Sequence, residues 1–412
     1  MTLYLQLLLV LAIFIAAAKA GGYISLRLGQ PSVLGELIVG ILLGPSLIDI
    51  LHLPLFGDEL LIDVIHLMAE IGVMLLMFLA GLELHVSDLV KSGKVSAFAG
   101  TSGVLIPLLL STGLVLVYPF PTQEAVFLGL ILSATSVSIS AQTLMELKML
   151  RSRVGISLLG AAVFDDVLVV LGLSIFSAII LTNGSGGVSQ VAQIVFQMGL
   201  YLLIASLAGI ILIPRLSRLI SKQPISQGLI AFTIVVMLFF GWAAEVFGNM
   251  AAITGAFLAG LVFTRSPVRE RVEQGMVPIA YGLFVPVFFI DVGLKANIQE
   301  LIGPSFSIFL VMSILAILGK ILGSGLGASL AGMSRKESLQ LGIGMMSRGE
   351  VGLIVASVGI TNGMINQQIY SAVVGVVILT TLLTPPLLRL SFRGTRVPEP
   401  VEPPGSKKTA PK

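Results

Sequence analysis

The chain has 412 residues, 56% of them hydrophobic and only 11% charged, with a mean hydropathy of +1.04. A soluble domain carries about 25% charge, so a water-soluble surface, a coiled coil, a disordered chain and a nucleic-acid-binding protein are all excluded. Cysteine is absent, which removes disulfides and Cys-ligated zinc or iron–sulfur centres. The three histidines (His52, His66, His85) leave little for a His-rich metal site.

A bilayer-crossing helix needs about 20 mostly apolar residues. In chain order, apolar stretches run near 3–26, 32–50, 62–82, 95–118, 124–145, 154–181, 192–214, 226–246, 250–264, 275–292, 302–331, 338–360 and 368–390. This predicts an all-α membrane protein of about 13 transmembrane helices. The first stretch starts MTLYLQ, with no basic segment before it, and reads as a retained helix.

The 24 Lys and Arg residues test this topology. Alternate connections hold Arg27; Lys91 and Lys94; Lys148, Arg151 and Arg153; Arg215, Arg218 and Lys222; Arg265, Arg269 and Arg271; Arg335 and Lys336. The C-terminal end adds Arg389, Arg393, Arg396, Lys407, Lys408 and Lys412, whereas the opposite connections hold only Lys295. Positive charge marks the cytoplasmic side, so the N-terminus is expected outside and the C-terminus inside. Residues 393–412, which include PEPVEPPGSKKTAPK, are Pro-rich and polar and are expected to be a disordered cytoplasmic tail. No nucleotide-binding domain is expected after the last helix.

An internal repeat is visible. AGLELHVSDL (80–89) aligns with VGLKANIQEL (292–301) at an offset of 212, and LGELIVGILLG (34–44) resembles TGAFLAGLVFT (254–264) at an offset of 220. Each pairing links a helix with the one seven spans later, so the copies are expected to be inverted, as in secondary transporters. The offset of 212 also pairs Thr135–Ser138 (TSVS) with Ser347–Glu350 (SRGE), both in the middle of apolar spans. Repeat-related interruptions of this kind predict broken helices around a binding site near the midplane. Hydroxyl residues also mediate ordinary helix packing, which would account for TSVS. It does not account for Arg348 and Glu350 inside one span.

Asp165 and Asp166 are the only charged residues in LLGAAVFDDVLVVLGLSIF. A carboxylate at the bilayer centre costs at least about 2.5–3.5 kcal/mol, so ionisable groups there default to function. Successive helical residues point about 100° apart. One carboxylate can therefore meet a cation of the protein while the other faces a cavity. Lys320, alone in SILAILGKILGSGLG, is too far from either end to reach water and is the natural partner of Asp165. Arg348 and Glu350 need partners too, either in a structural ion-pair network or in transport itself; Glu36, Glu70 and Glu83 are further candidates.

The FDD of the sixth span, the lysine of the eleventh, and the interrupted fifth and twelfth spans resemble the bacterial cation:proton antiporter-2 family. The likeness is greatest to its electrogenic sodium/proton branch with an Asp-Asp pair and an intramembrane lysine. It covers residues 1 to about 392. The resemblance implies a homodimer in a bacterial-type inner membrane. It implies a core domain (95–181 and 302–390) with two crossing broken helices, a dimerisation domain (1–94 and 226–301) and a linking helix (192–222). It implies ion binding at Asp166, with Asp165 paired to Lys320 and with Thr135 and Ser136 beside the ion. Sodium or lithium would exchange for protons without a cofactor; potassium/proton exchange is the alternative. An intramembrane aspartyl protease takes its aspartates from different helices, one of them in GxGD, and this chain has no GxGD. A channel needs rings of pore-lining groups, and none is evident.

Overall fold

The computed structural model describes residues 1–84, 86–113, 121–180, 187–295, 299, 305–361 and 363–395. The chain is all helical, as expected. Its helices are α1 (Leu3–Arg27), α2 (Ser32–Leu43), α3 (Glu59–Glu83), α4 (Val86–Thr112), α5 (Thr122–Ser133), α6 (Val137–Glu146), α7 (Arg153–Ile180) and α8 (Gly187–Ile220). They continue with α9 (Gly228–Gly248), α10 (Ala252–Phe263), α11 (Arg269–Ile279), α12 (Val285–Leu294), α13 (Ser305–Leu330), α14 (Arg335–Gly344), α15 (Glu350–Thr361) and α16 (Gln367–Ser391). A π-helical turn, Ala280–Phe284, joins α11 to α12. Among the described residues, ten helical segments are long and apolar enough to cross a membrane; α5 with α6 counts as one, and so does α11 with α12. The helices α2 and α10 are apolar but shorter.

The helices sort into two groups. In one, α4 lies along α7 and α13, while α5, α14, α15 and α16 pack around them. In the other, α3 packs on α10 and α12, α2 on α1 and α12, and α9 on α8 and α10. The groups meet where α7 touches α8, where α6 touches α2 and α3, and where α16 touches α2. A buried apolar cluster built on Phe127, Val169, Met312 and Val373 lies within the first group.

The repeat is written into the element bounds. Shifting α2 by 220 residues reproduces the bounds of α10, and both helices have 12 residues. Their packing repeats as well. A Cβ on Gly40 of α2 would lie 2.5 Å from the Ile290 carbonyl oxygen of α12. A Cβ on Gly260 of α10 would lie 2.0 Å from the Phe78 carbonyl oxygen of α3. Gly81 and Gly293 complete the same contacts from the other side, against Phe257 and Gly40. Only glycine allows backbones so close, and in lipid, where apolar burial gives no preference for protein over tails, close backbone packing drives association.

Both interrupted spans are broken. Ala134–Ser136 separate α5 from α6, and Met345–Gly349 separate α14 from α15. Pro107 lies inside α4 and Pro385–Pro386 inside α16, yet both helices run on through them. Residues 396–412, most of the expected tail, lie outside the described residues, as do Glu300 and Leu301 of the second repeat window.

Candidate functional site

The two breaks meet and hydrogen-bond to each other. Ser136 N–H donates to the Ser347 carbonyl (3.0 Å), and the Ser347 hydroxyl returns a bond to the Ser136 carbonyl (2.5 Å). Ser140 donates to the Gly344 carbonyl (2.5 Å), and Thr135 approaches the Met345 carbonyl (3.5 Å). A broken helix strands amides and carbonyls that lipid cannot satisfy, so each break here partly satisfies the other. Small residues make the approach possible: a Cβ on Gly349 would sit 2.5 Å from the Ser136 side chain. The result is a buried knot of hydroxyl and main-chain oxygens formed by Thr135, Ser136, Ser140 and Ser347.

Beside this knot, α7 presents the two aspartates in opposite settings. Asp165 is fully buried and forms an ion pair, Oδ1 to Nζ, with the equally buried Lys320 of α13. Gly103 of α4 lies close to that ammonium, 3.6 Å from where its own Cβ would be. The Thr135 hydroxyl and the Arg348 guanidinium lie near enough to act on the Asp165 charge. Asp166 is only partly buried. It turns to the seam between the helix groups, where Thr254 of α10 donates to its Oδ2 at 3.3 Å. A narrow gap of about 10 Å³, lined by Met77, Val137, Asp166, Ile253, Thr254 and Phe257, closes around it. That is room for about one water molecule.

Arg348 is fully buried in the α14–α15 break. Its Nη2 donates to the Ala316 carbonyl of α13 (3.0 Å), and its own carbonyl accepts from Thr381 of α16 (2.7 Å). Among the described residues it has no carboxylate within ion-pair distance, and Nε and Nη1 make no hydrogen bond. Among the described residues, Arg348 is tied to its neighbours through the Ala316 carbonyl and the Thr381 hydroxyl. Glu350 begins α15, and its side chain lies outside the described residues. Glu36 and Glu70 find partners elsewhere, Lys19 (3.5 Å) and His66 (3.5 Å).

The sequence thus leads to Asp165, Asp166, Thr135, Ser136, Lys320 and Arg348, and the fold gathers all six. It does not point to Thr254, because one threonine at the start of an apolar stretch has no distinguishing neighbour. Nor does it point to a second cross-seam contact. The α2 N-terminus follows Pro31, which offers no side-chain cap. Glu146, the last residue of α6, supplies one: its carboxylate accepts from Ser32 N–H (2.7 Å) and the Ser32 hydroxyl (2.5 Å). Gln142 supports Glu146 (2.9 Å) and is itself held by the Tyr281 hydroxyl from the π-helical turn (2.9 Å). A carboxylate suits the positive end of a helix, and such a cap is worth about 1 kcal/mol.

A membrane-embedded carboxylate on the seam of a repeat-built helical fold, beside two interlocked broken helices, defines a secondary ion transporter. The chain belongs to the sodium/hydrogen exchanger family, whose transmembrane model matches residues 10–390. Among curated proteins it is similar to the Na⁺/H⁺-K⁺ antiporter GerN of Bacillus cereus, 37% identical over 382 residues, covering 93% of this chain and 95% of that protein. It is likewise similar to the Na⁺/H⁺ antiporter of Enterococcus hirae, 35% identical over 380 residues and covering 92% and 96%. The fold is similar to that of the sodium proton antiporter MjNhaP1 from Methanocaldococcus jannaschii, with a TM-score of 0.70 at 18% identity, covering 95% of this chain and 98% of that one. The protein is an integral membrane ion antiporter and not an enzyme.

Proposed function

We propose that this protein exchanges sodium, or lithium, for protons by alternating access, with Asp166 as the shared carrier of cation and proton. The observation that carries this reading is the division of labour on α7. Asp165 is committed to Lys320, whereas Asp166 faces the seam beside the Thr254 hydroxyl. Carboxylate, carbonyl and hydroxyl oxygens suit a hard cation. One carboxylate cannot hold Na⁺ and H⁺ together, so binding of one displaces the other, and this competition couples the two fluxes.

The helix groups supply the moving parts. Segments 95–181 and 302–390 act as the core domain, segments 1–94 and 226–301 as the dimerisation domain of a homodimer, and 192–222 as the link between them. The separate packing of the two groups supports this division. The loaded core slides past its partner and exposes Asp166 to the other side. If the Asp165–Lys320 pair also takes up and releases a proton, more than one H⁺ moves per Na⁺ and the cycle carries charge. The one-sided placement of basic connections supports an outside N-terminus and a cytoplasmic C-terminus.

Potassium/proton exchange is the second reading, favoured by the Na⁺/H⁺-K⁺ name of one relative. The test is dequenching of a pH-gradient dye in proteoliposomes with Na⁺, Li⁺ and K⁺ added in turn. Dequenching by Na⁺ and Li⁺ is expected; a response to K⁺ alone would transfer the function to the second reading.

A further inference from the structure

The basic end of the molecule carries a cleft of about 500 Å³ that the transport site does not use. It opens where α1 and α16 end, between the α1–α2 turn on one side and the α6 end with α16 on the other. Arg389 and Arg393 both line it. Arg389 stands in the last turn of α16 and Arg393 two residues past its end, and the turn there brings both to the one cleft. Among the described residues neither makes an ion pair or a side-chain hydrogen bond. Glu146, next to the cleft-lining Leu147, is already taken by Ser32 and Gln142.

Arg389 nevertheless reaches across to the α1–α2 turn. Its guanidinium lies over Gly29, where a Cβ would come 3.1 Å from Nη1 and 3.2 Å from Nη2. Gly29 is also in the left-handed region (φ 70°), so glycine serves both the turn and the guanidinium above it. Two guanidinium groups on one cleft, with no counter-charge among the described residues, offer the forked donors that match a phosphate group. The rest of the wall is apolar, with Leu28, Met149 and Phe392, while the Gln30 side chain adds a buried oxygen with no hydrogen-bond partner. An inorganic anion has no use for an apolar wall, whereas the glycerol and upper acyl carbons of a lipid do. The cleft also lies at the ends of two membrane-spanning helices, the level at which headgroups sit.

We propose that this cleft binds the phosphate headgroup of an anionic phospholipid, clamped by Arg389 and Arg393. The bound lipid bridges the α1–α2 turn and α16, which belong to different helix groups. It therefore favours the conformation in which Glu146 caps α2.

The experiment is thermal unfolding of the purified full chain in detergent with added phosphatidylglycerol, phosphatidylcholine or inorganic phosphate. Phosphatidylglycerol should raise the melting temperature by several degrees beyond phosphatidylcholine, because a ligand that binds only the folded state stabilises it. The double substitution Arg389→Gln/Arg393→Gln should abolish that increment, and Arg389→Lys/Arg393→Lys should keep part of it. Retained Na⁺-driven proton movement in phosphatidylcholine vesicles shows that the double variant is folded. If the variant cannot be purified, native mass spectrometry of the unmodified protein gives the answer: phosphatidylglycerol should be retained over phosphatidylcholine, less so as salt rises. An equal increment in the Gln pair, equal retention of both lipids, or a full increment from inorganic phosphate alone would overturn the proposal.

Discussion

Thr254 and Asp166 belong to helices that pack in different groups, yet the Thr254 hydroxyl donates to the Asp166 carboxylate at 3.3 Å. The proposed carrier therefore holds on to the element it must slide past. Asp165, one residue away, is anchored inside its own group by Lys320. The first contact has to be renewed in each cycle, whereas the second travels with the core.

Thr254→Val removes that hydroxyl and one oxygen a bound cation could use, with little change in volume. A net hydrogen bond is worth about 0.5–1.5 kcal/mol, so the apparent KM for Na⁺ should rise about two- to tenfold, with kcat little changed. Steady-state dequenching across a Na⁺ series checks this, and an unchanged KM would place Thr254 outside the site.

Asp166→Asn should abolish cation-driven proton movement in a protein that still extracts and elutes as a single species. The amide can neither take up a proton nor hold a cation by charge. Exchange near the original rate would remove Asp166 from the carrier role.

Breaking a buried ion pair by deleting one partner costs about 3–5 kcal/mol, because the other charge is left uncompensated. Lys320→Ala should therefore lower the melting temperature clearly. Asp165→Asn/Lys320→Gln should recover part of the loss, since no charge is then stranded. Strictly additive losses across the double-mutant cycle would contradict the coupling.

The pH dependence has a fixed sign. While protons occupy Asp166, cation must be in excess to displace them. As pH rises the carboxylate ionises, so apparent KM for Na⁺ should fall and then level off once Asp166 is fully charged. A small hard ion gains most from close carboxylate and carbonyl oxygens, so Na⁺ or Li⁺ should be preferred over K⁺. A KM constant across the activity range would refute the competition.

The Glu146 cap offers a mechanical test. The chain has no cysteine, so Ser32→Cys with Glu146→Cys can be linked by a short thiol-reactive crosslinker with no background reaction. If α6 leaves α2 during the cycle, linkage should stop exchange, and each single substitution with crosslinker should not. Full exchange with complete linkage would show that the seam does not part there.

Much of this site was legible in the sequence because intramembrane charges are few. The Asp165–Asp166 pair, Lys320 and Arg348 lie in otherwise apolar spans, and a buried charge constrains its surroundings more than a leucine does. The breaks were legible because TSVS and SRGE recur at one offset. What stayed hidden depends on packing between distant segments. Ser32 and Glu146 are 114 residues apart and unremarkable in composition. Arg348 illustrates the reverse. Its charge drew attention to ion pairing, yet among the described residues its side-chain partner is the carbonyl of Ala316, and every residue carries a carbonyl. His66, to which the sequence reading gave no role, meets Asp291 (3.3 Å) and Lys295 (3.1 Å) where the start of α3 lies beside the end of α12.

The glycine crossings between α2 and α12, and between α3 and α10, bear on how the protein is made. Gly40 finds its partner backbone at Ile290 and Gly293, some 250 residues later in the chain. At a synthesis rate of about 5–20 residues per second, α2 waits on the order of 10–50 s for it. During that interval a 12-residue helix carrying Glu36 is in or near the bilayer with α1 as its neighbour, and Lys19 of α1 is the basic partner Glu36 has among the described residues. Loss of Lys19 should accordingly be felt first in the yield of inserted protein, through quality-control proteolysis during biogenesis, before it is felt in the turnover of molecules that complete assembly.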